Sequence, residues 1–125
     1  FRAPGYDPKE AMIPHGMSVI LNAPSVFRFT APACPERHLE AAEKLGADVR
    51  GAGPDDAGEV LSAQIVELMQ ATGIPNGLSA VGYGTQDLEA LTSGSFPQKG
   101  LINNAPRETS REQLRDLYEN ALTYW

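Results

Sequence analysis

The sequence lacks most of what would mark a self-sufficient enzyme. It has one cysteine, Cys34, so no disulfide can form within the chain. The simplest setting is a reducing compartment, the cytoplasm or, in a eukaryote, the mitochondrial matrix. Lys and Arg together number 10 against 16 Asp and Glu, a net charge of −6. The basic residues form no stripe, which excludes nucleic acid and an anionic membrane surface as partners. No apolar run approaches the roughly 18 residues of a membrane span. No P-loop, C-x-x-C or H-E-x-x-H is present. Gly51-Ala52-Gly53 and Gly82-Tyr83-Gly84 come nearest to a dinucleotide fingerprint. Neither follows a strand-like run or completes G-x-G-x-x-G, so both read as helix-boundary glycines. Asp55-Asp56 lacks the spaced oxygen ligands and central glycine of a calcium loop.

What remains is helical. The 125 residues, 42% hydrophobic and 21% charged, suit one globular domain with a modest core. Residues 1–12 hold Pro4, Gly5 and Pro8 and predict an irregular lead-in. Ile13 to about Phe29 is the most apolar stretch, with Met17, Ile20, Leu21, Pro24 and Phe27 at helical spacing. It predicts a helix buried within a bundle, kinked or broken at Pro24. A second helix is expected over Pro35–Leu45, stopped by Gly46. A third is expected from Pro54 to about Thr72, with Ala57, Val60, Leu61, Ile65, Leu68 and Met69 on one face and Gly73 at its end. A short fourth, about Gln86–Thr92, takes Thr85 as N-cap and Gly94 as terminator, and residues 95–108 read as a loop. Ser110-Arg111-Glu112-Gln113 fits a capping box, and Leu114, Leu117, Tyr118, Ala121, Leu122 and Trp125 continue as an amphipathic stripe. No alternating run carries a hairpin signal. The fold class is therefore all-α, a bundle of about five main helices filling residues 1–125.

Two histidines and the cysteine are the candidates for chemistry. Cys34 has no base supplied by a local motif and reads as a small, partly buried residue at a helix start. His38, within Glu36-Arg37-His38-Leu39-Glu40, reads as part of a solvated face. His15 stands apart, in Ile13-Pro14-His15-Gly16-Met17. A helix start and apolar surroundings both favour neutral imidazole, the form that ligates a divalent metal, and Gly16 leaves room for a close approach. On the residues alone, a lone histidine at a helix start is more often a hydrogen-bonded structural residue than a ligand. One imidazole in any case falls short of the three or four protein ligands of a metal site.

Longer motifs carry a resemblance. Pro14-His15-Gly16-Met17-Ser18-Val19 and Leu21-Asn22-Ala23-Pro24-Ser25-Val26-Phe27 resemble a segment of the iron-containing (group III) alcohol dehydrogenases. Cys34-Pro35-Glu36-Arg37-His38-Leu39-Glu40, Leu45-Gly46-Ala47-Asp48, Gly77-Leu78-Ser79-Ala80-Val81-Gly82-Tyr83, Asp87-Leu88-Glu89-Ala90-Leu91 and Ala105-Pro106-Arg107 are similar to the hydroxyacid–oxoacid transhydrogenase branch. Asn103-Asn104 stand where that branch is expected to be more basic. The resemblance implies the helical C-terminal domain of a dehydroquinate synthase-like fold. It also implies an N-terminal α/β domain that binds NAD(P), and iron or zinc held between the two by one Asp and three His. His15 occupies the position of the last of these ligands. The other three and the dinucleotide domain would precede Phe1, whose sequence Phe1-Arg2-Ala3-Pro4-Gly5 carries no start Met and no signal-peptide pattern.

The expectation is thus a chain that is inactive alone. Its parent would pass hydride between NAD(P) and a small alcohol or hydroxy acid. The exposed apolar face that meets the missing domain would also favour homo-oligomers. The rival expectations are a stand-alone helical interaction module and a glycerol dehydrogenase-like parent.

Overall fold

A computed structural model describes residues 13–125. Seven α-helices run through them: α1 (His15–Ile20), α2 (Ala23–Thr30), α3 (Pro35–Lys44), α4 (Ala57–Ala71), α5 (Leu88–Ser95), α6 (Lys99–Ile102) and α7 (Arg111–Asn120). Short 3₁₀ turns at Ala31–Ala33, Pro54–Asp56, Ser79–Val81 and Thr85–Asp87 join or start them. No strand occurs among the described residues, so the all-α expectation holds. The expected lead-in over residues 1–12 lies outside the described residues.

The helix starts follow the local chemistry. Asp56 Oδ2 accepts from Gly53 N at 2.8 Å ahead of α4, and Asp87 Oδ2 from Gly84 N at 2.8 Å ahead of α5. Each carboxylate satisfies an amide that no helical turn reaches. The capping box of α7 forms as expected: Gln113 N donates to Ser110 Oγ at 3.1 Å, and Ser110 N to Gln113 Oε1 at 2.9 Å. Gly46 and Gly73 end α3 and α4 at φ +104° and +71°.

Four expectations need correction. The Ile13–Phe29 stretch is two helices, broken at Leu21-Asn22. Pro24 falls in the first turn of α2, where its missing N–H is no loss. Gly94 lies inside α5 and does not terminate it, while the loop expected over 95–108 contains α6. Most consequentially, α1 is not buried. None of its six residues is, and Val19 is 56% exposed.

The core gathers around α4, which packs on both α2 and α3, while α5 pairs with α7. Leu21, Ala42, Leu61, Ile65, Met69, Leu78 and Ala121 form its buried centre. Polar threads tie distant segments together. Ser62 Oγ donates to Pro24 O at 2.7 Å, Ser25 Oγ to Leu117 O at 2.8 Å, and the Tyr124 hydroxyl to Leu21 O at 2.9 Å. The chain after α4 lies against the end of α7, with Leu78 N donating to Ala121 O at 2.9 Å and Ser79 N to Leu122 O at 3.0 Å. This approach requires Gly77. Its φ is +67°, and a Cβ there would sit 2.5 Å from Leu122 O and 2.6 Å from Ala121 O.

Candidate functional site

The structure separates His15 from the other two candidates, which lie together at the start of α3. His15 opens α1 and is exposed. Pro14 precedes it with extended backbone, φ −52° and ψ 142°, so the imidazole is presented at the helix start. Open space surrounds Gly16: a Cβ added there would meet nothing within 4 Å. Among the described residues the expected apolar surroundings of His15 are absent. The roominess expected at Gly16 is present.

His38 corrects the expectation of a solvated face. It is 6% exposed, beside the Phe27 ring in an edge-on contact with centroids 5.7 Å apart. Its Nδ1 lies 2.9 Å from Cys34 O. A carbonyl only accepts, so Nδ1 is assigned the proton. Nε2 then accepts from the Thr30 hydroxyl at 2.9 Å, which it shares with Val26 O at 3.1 Å. Cys34 Sγ approaches the same Nδ1 at 3.5 Å and thus faces an N–H. That N–H cannot take the thiol's proton, so Cys34 and His38 form no nucleophile–base pair. Cys34 keeps its expected place, half-buried at the start of α3. The burial of His38 was hidden by its charged neighbours, although the i, i+4 relation to buried Ala42 carried the signal.

A strip of hydrogen bonds runs from His15 along one side of α1. Ser18 Oγ donates to His15 O at 2.7 Å, and Asn22 Nδ2 to Ser18 O at 2.9 Å. The steps of three and four residues keep all three on one face. Asn22 Oδ1 is enclosed and accepts no hydrogen bond from another described residue. Asn22 and Ser18 line a cleft of about 310 Å³ closed on its other sides by Leu78, Tyr83, Leu91 and Tyr118. Sequence reasoning missed this cleft, since nothing in the pattern brings residues 78–91 to α1.

A second, almost wholly apolar cleft of about 360 Å³ lies among Ile20, Phe27, Leu45, Leu68 and Ile74. Of its lining, Leu45 is 42% exposed and Leu68 38%. A third, more polar cleft of about 570 Å³ holds Arg28, Arg107 and Asp116. Both cations there are engaged. Arg28 pairs with Glu59 at 2.7 Å, and Arg107 donates to Phe29 O at 2.8 Å while stacked 4.1 Å over the Phe29 ring.

Among the described residues no three His, Cys, Asp or Glu side chains cluster as a metal site requires. His15 nonetheless fits as a single ligand. Its ring is open to solvent and makes no hydrogen bond to another described residue, so a ring nitrogen is available.

Fold and site together define an all-α domain with one exposed histidine at a helix start and no metal-binding cluster among its described residues. Comparison with known proteins makes this specific. A model described as "Fe-containing alcohol dehydrogenase family, C-terminal" matches residues 9–122. The probable mitochondrial hydroxyacid-oxoacid transhydrogenase of Dictyostelium discoideum is 45% identical over 120 residues, covering 96% of this chain and 22% of that protein. The mitochondrial hydroxyacid-oxoacid transhydrogenase of Xenopus tropicalis is 44% identical over 122 residues, covering 98% and 26%. A crystal structure of 1,3-propanediol oxidoreductase superposes with a TM-score of 0.78 at 27% identity, over 87% of this chain and 28% of that one. The chain belongs to the Fe-containing alcohol dehydrogenase family, in its C-terminal, helical part, on the hydroxyacid–oxoacid transhydrogenase-like branch. It spans about a quarter of the length of the curated relatives it matches. Among the described residues, no helix is long and apolar enough to cross a membrane.

Proposed function

We propose that this chain is the metal-side helical domain of an iron-dependent, NAD(P)-linked oxidoreductase, with His15 as one metal ligand. The observation that carries the reading is the exposed imidazole of His15 within Pro14-His15-Gly16, which makes no hydrogen bond to another described residue. Pro14 and the first turn of α1 hold the ring at the surface, and Ser18 ties the His15 carbonyl from below. Gly16 keeps the adjacent space clear. His15 thus holds geometry and charge in the site and neither gives nor takes hydride. The metal, iron or zinc, supplies Lewis-acid polarisation of the substrate oxygen when bound. The remaining ligands come from the part of the parent upstream of His15, and most of the NAD(P) contacts from an N-terminal dinucleotide-binding domain. The substrate class is a small alcohol or hydroxy acid, in keeping with the names of the relatives. Those relatives also favour a mitochondrial setting over the cytoplasm.

The test compares the full-length parent with the 125-residue chain. The parent is expected to show metal-dependent, NAD(P)-linked turnover of hydroxy acids, and its upstream coding sequence to contain an Asp and two further His. The chain alone is expected to bind iron or zinc weakly and to show no turnover. Tight one-to-one metal binding by the isolated chain would overturn the single-ligand reading. A start codon directly before Phe1 would favour the stand-alone interaction module.

A further inference from the structure

We infer that the polar cleft between α2 and α7 binds a small organic carboxylate that also carries a hydroxyl, with Arg107 holding the carboxylate and Asp116 accepting from the hydroxyl. No residue of α1 lines this cleft, so the inference stands apart from the reading of His15 as a metal ligand.

Arg107 is held in place without being neutralised. Arg28, Arg50, Arg111 and Arg115 each have a carboxylate partner, in Glu59, Asp48, Glu89 and Glu119. Arg107 is half-buried and has none among the described residues. Its Nη1 nevertheless donates to Phe29 O at 2.8 Å, and its Cζ lies 4.1 Å from the centroid of the Phe29 ring. Fixing a guanidinium in this way costs rotamer freedom. It is also the preorganisation that forked recognition of a carboxylate uses. With one face on the ring and Nη1 on a carbonyl, the Nε–Nη2 edge is left for a ligand. Water hydrates that edge but does not neutralise it.

The rest of the lining sets the chemical class. The Arg28–Glu59 pair is already neutral and adds little net field. Asp116 reaches Arg115 only at 3.8 Å, while Arg115 is drawn to Glu119 at 2.8 Å, so Asp116 brings negative charge to the same cleft. One cation beside one acid disfavours a doubly charged phosphate and suits a monocarboxylate with a donor elsewhere on the molecule. Phe29 and Leu117 supply an apolar wall, and the volume of about 570 Å³ has room for a short aliphatic acid.

Arginine modification of the full-length parent tests this. Phenylglyoxal reacts with accessible guanidinium groups, and peptide mass spectrometry reads its rate at each arginine. Saturating 2-hydroxybutyrate is expected to slow modification of Arg107 at least about fivefold and to leave exposed Arg37 unaffected. Butyrate, which lacks the hydroxyl, and inorganic phosphate are expected to need at least about tenfold higher concentrations for the same protection. Asp116→Asn is expected to bring 2-hydroxybutyrate down to the level of butyrate. The His15→Ala parent is expected to keep the protection in full, whatever its metal content, which separates this site from the ligand reading. Absent protection, or equal protection by phosphate, would overturn the inference. So would an Arg107 that fails to react without any acid present, because the parent itself would then fill the cleft. Protection lost in His15→Ala would assign the effect to the metal site and overturn it as well.

Discussion

Gly77→Ala offers a stringent check on the packing, because Gly73→Ala is its matched control. Both glycines have positive φ, +67° and +71°, so the left-handed strain of adding a Cβ is common to the pair at about 1 kcal/mol. They differ in what the Cβ meets. At Gly73 nothing lies within 4 Å, whereas at Gly77 the Ala121 and Leu122 carbonyl oxygens lie at 2.6 and 2.5 Å. The methyl must push the 77–79 segment off the end of α7, and two bonds go with it, Leu78 N to Ala121 O and Ser79 N to Leu122 O. Each contributes about 1 kcal/mol net, and more where a carbonyl is left buried and unpaired. The expected loss is about 3–5 kcal/mol for Gly77→Ala and about 1 kcal/mol for Gly73→Ala. Urea denaturation followed by far-ultraviolet circular dichroism reads both, and a 2 kcal/mol gap lowers the midpoint by about 1–2 M. If Gly77→Ala costs no more than Gly73→Ala, the close approach of the 77–79 segment to α7 is wrong.

Four other outcomes follow from the same physics. Burial pushes the Tyr124 phenol up to about 12, above the value near 10 of an unfolded tyrosine. The unfolded chain therefore releases this proton first, so stability is intact below about pH 10 and falls as pH rises toward 12. Tyr124→Phe should flatten that fall in urea titrations across the range. His38→Ala removes a buried ring bonded to Thr30 and Cys34 O and should cost about 2–4 kcal/mol. Because both His38 ring nitrogens are engaged, by Cys34 O and Thr30, Cys34→Ser and His38→Ala should leave the parent's metal content unchanged, as plasma emission spectroscopy would report. The Arg28 guanidinium holds the Glu59 carboxyl below its usual range, so the pair's contribution is present at neutral pH and lost as pH falls through the Glu59 value. Its side chains are 39% and 67% exposed, and Glu59→Ala should cost under about 1 kcal/mol in a denaturation at pH 7.

Where a single side chain or glycine fixes a boundary, the sequence was readable. Ser110 and Gln113 announce the start of α7, and Gly46 and Gly73 the ends of α3 and α4, because the chemistry is local. Periodicity failed where it ran through a break. The apolar stretch after Ile13 looks like one buried helix, yet its hydrophobicity is split. Leu21 goes to the core, Met17 and Ile20 lie half-buried against it, and Val19 faces solvent. His38 was misplaced for the opposite reason, since three charged neighbours masked its i, i+4 partner Ala42. For the candidate site, His15 was identifiable through its motif, but its exposure was not. The cleft beside Asn22 depends on the 77–84 connection folding back onto α1 and α7, held by Gly77 and long-range backbone bonds that no local pattern records. The third cleft was equally hidden, because Arg107 and the 113–124 segment reach Arg28 and Phe29 from distant positions in the sequence.

The central claim is that this domain contributes one ligand to a metal site completed elsewhere in its parent. The most direct measurement is the metal content of purified full-length parent and its His15→Ala variant after identical iron loading and gel filtration. The account predicts near-stoichiometric iron in the parent and at least about tenfold weaker retention in the variant, with unchanged circular dichroism because the exposed ring supports no packing. Stoichiometric iron retained by His15→Ala would contradict it.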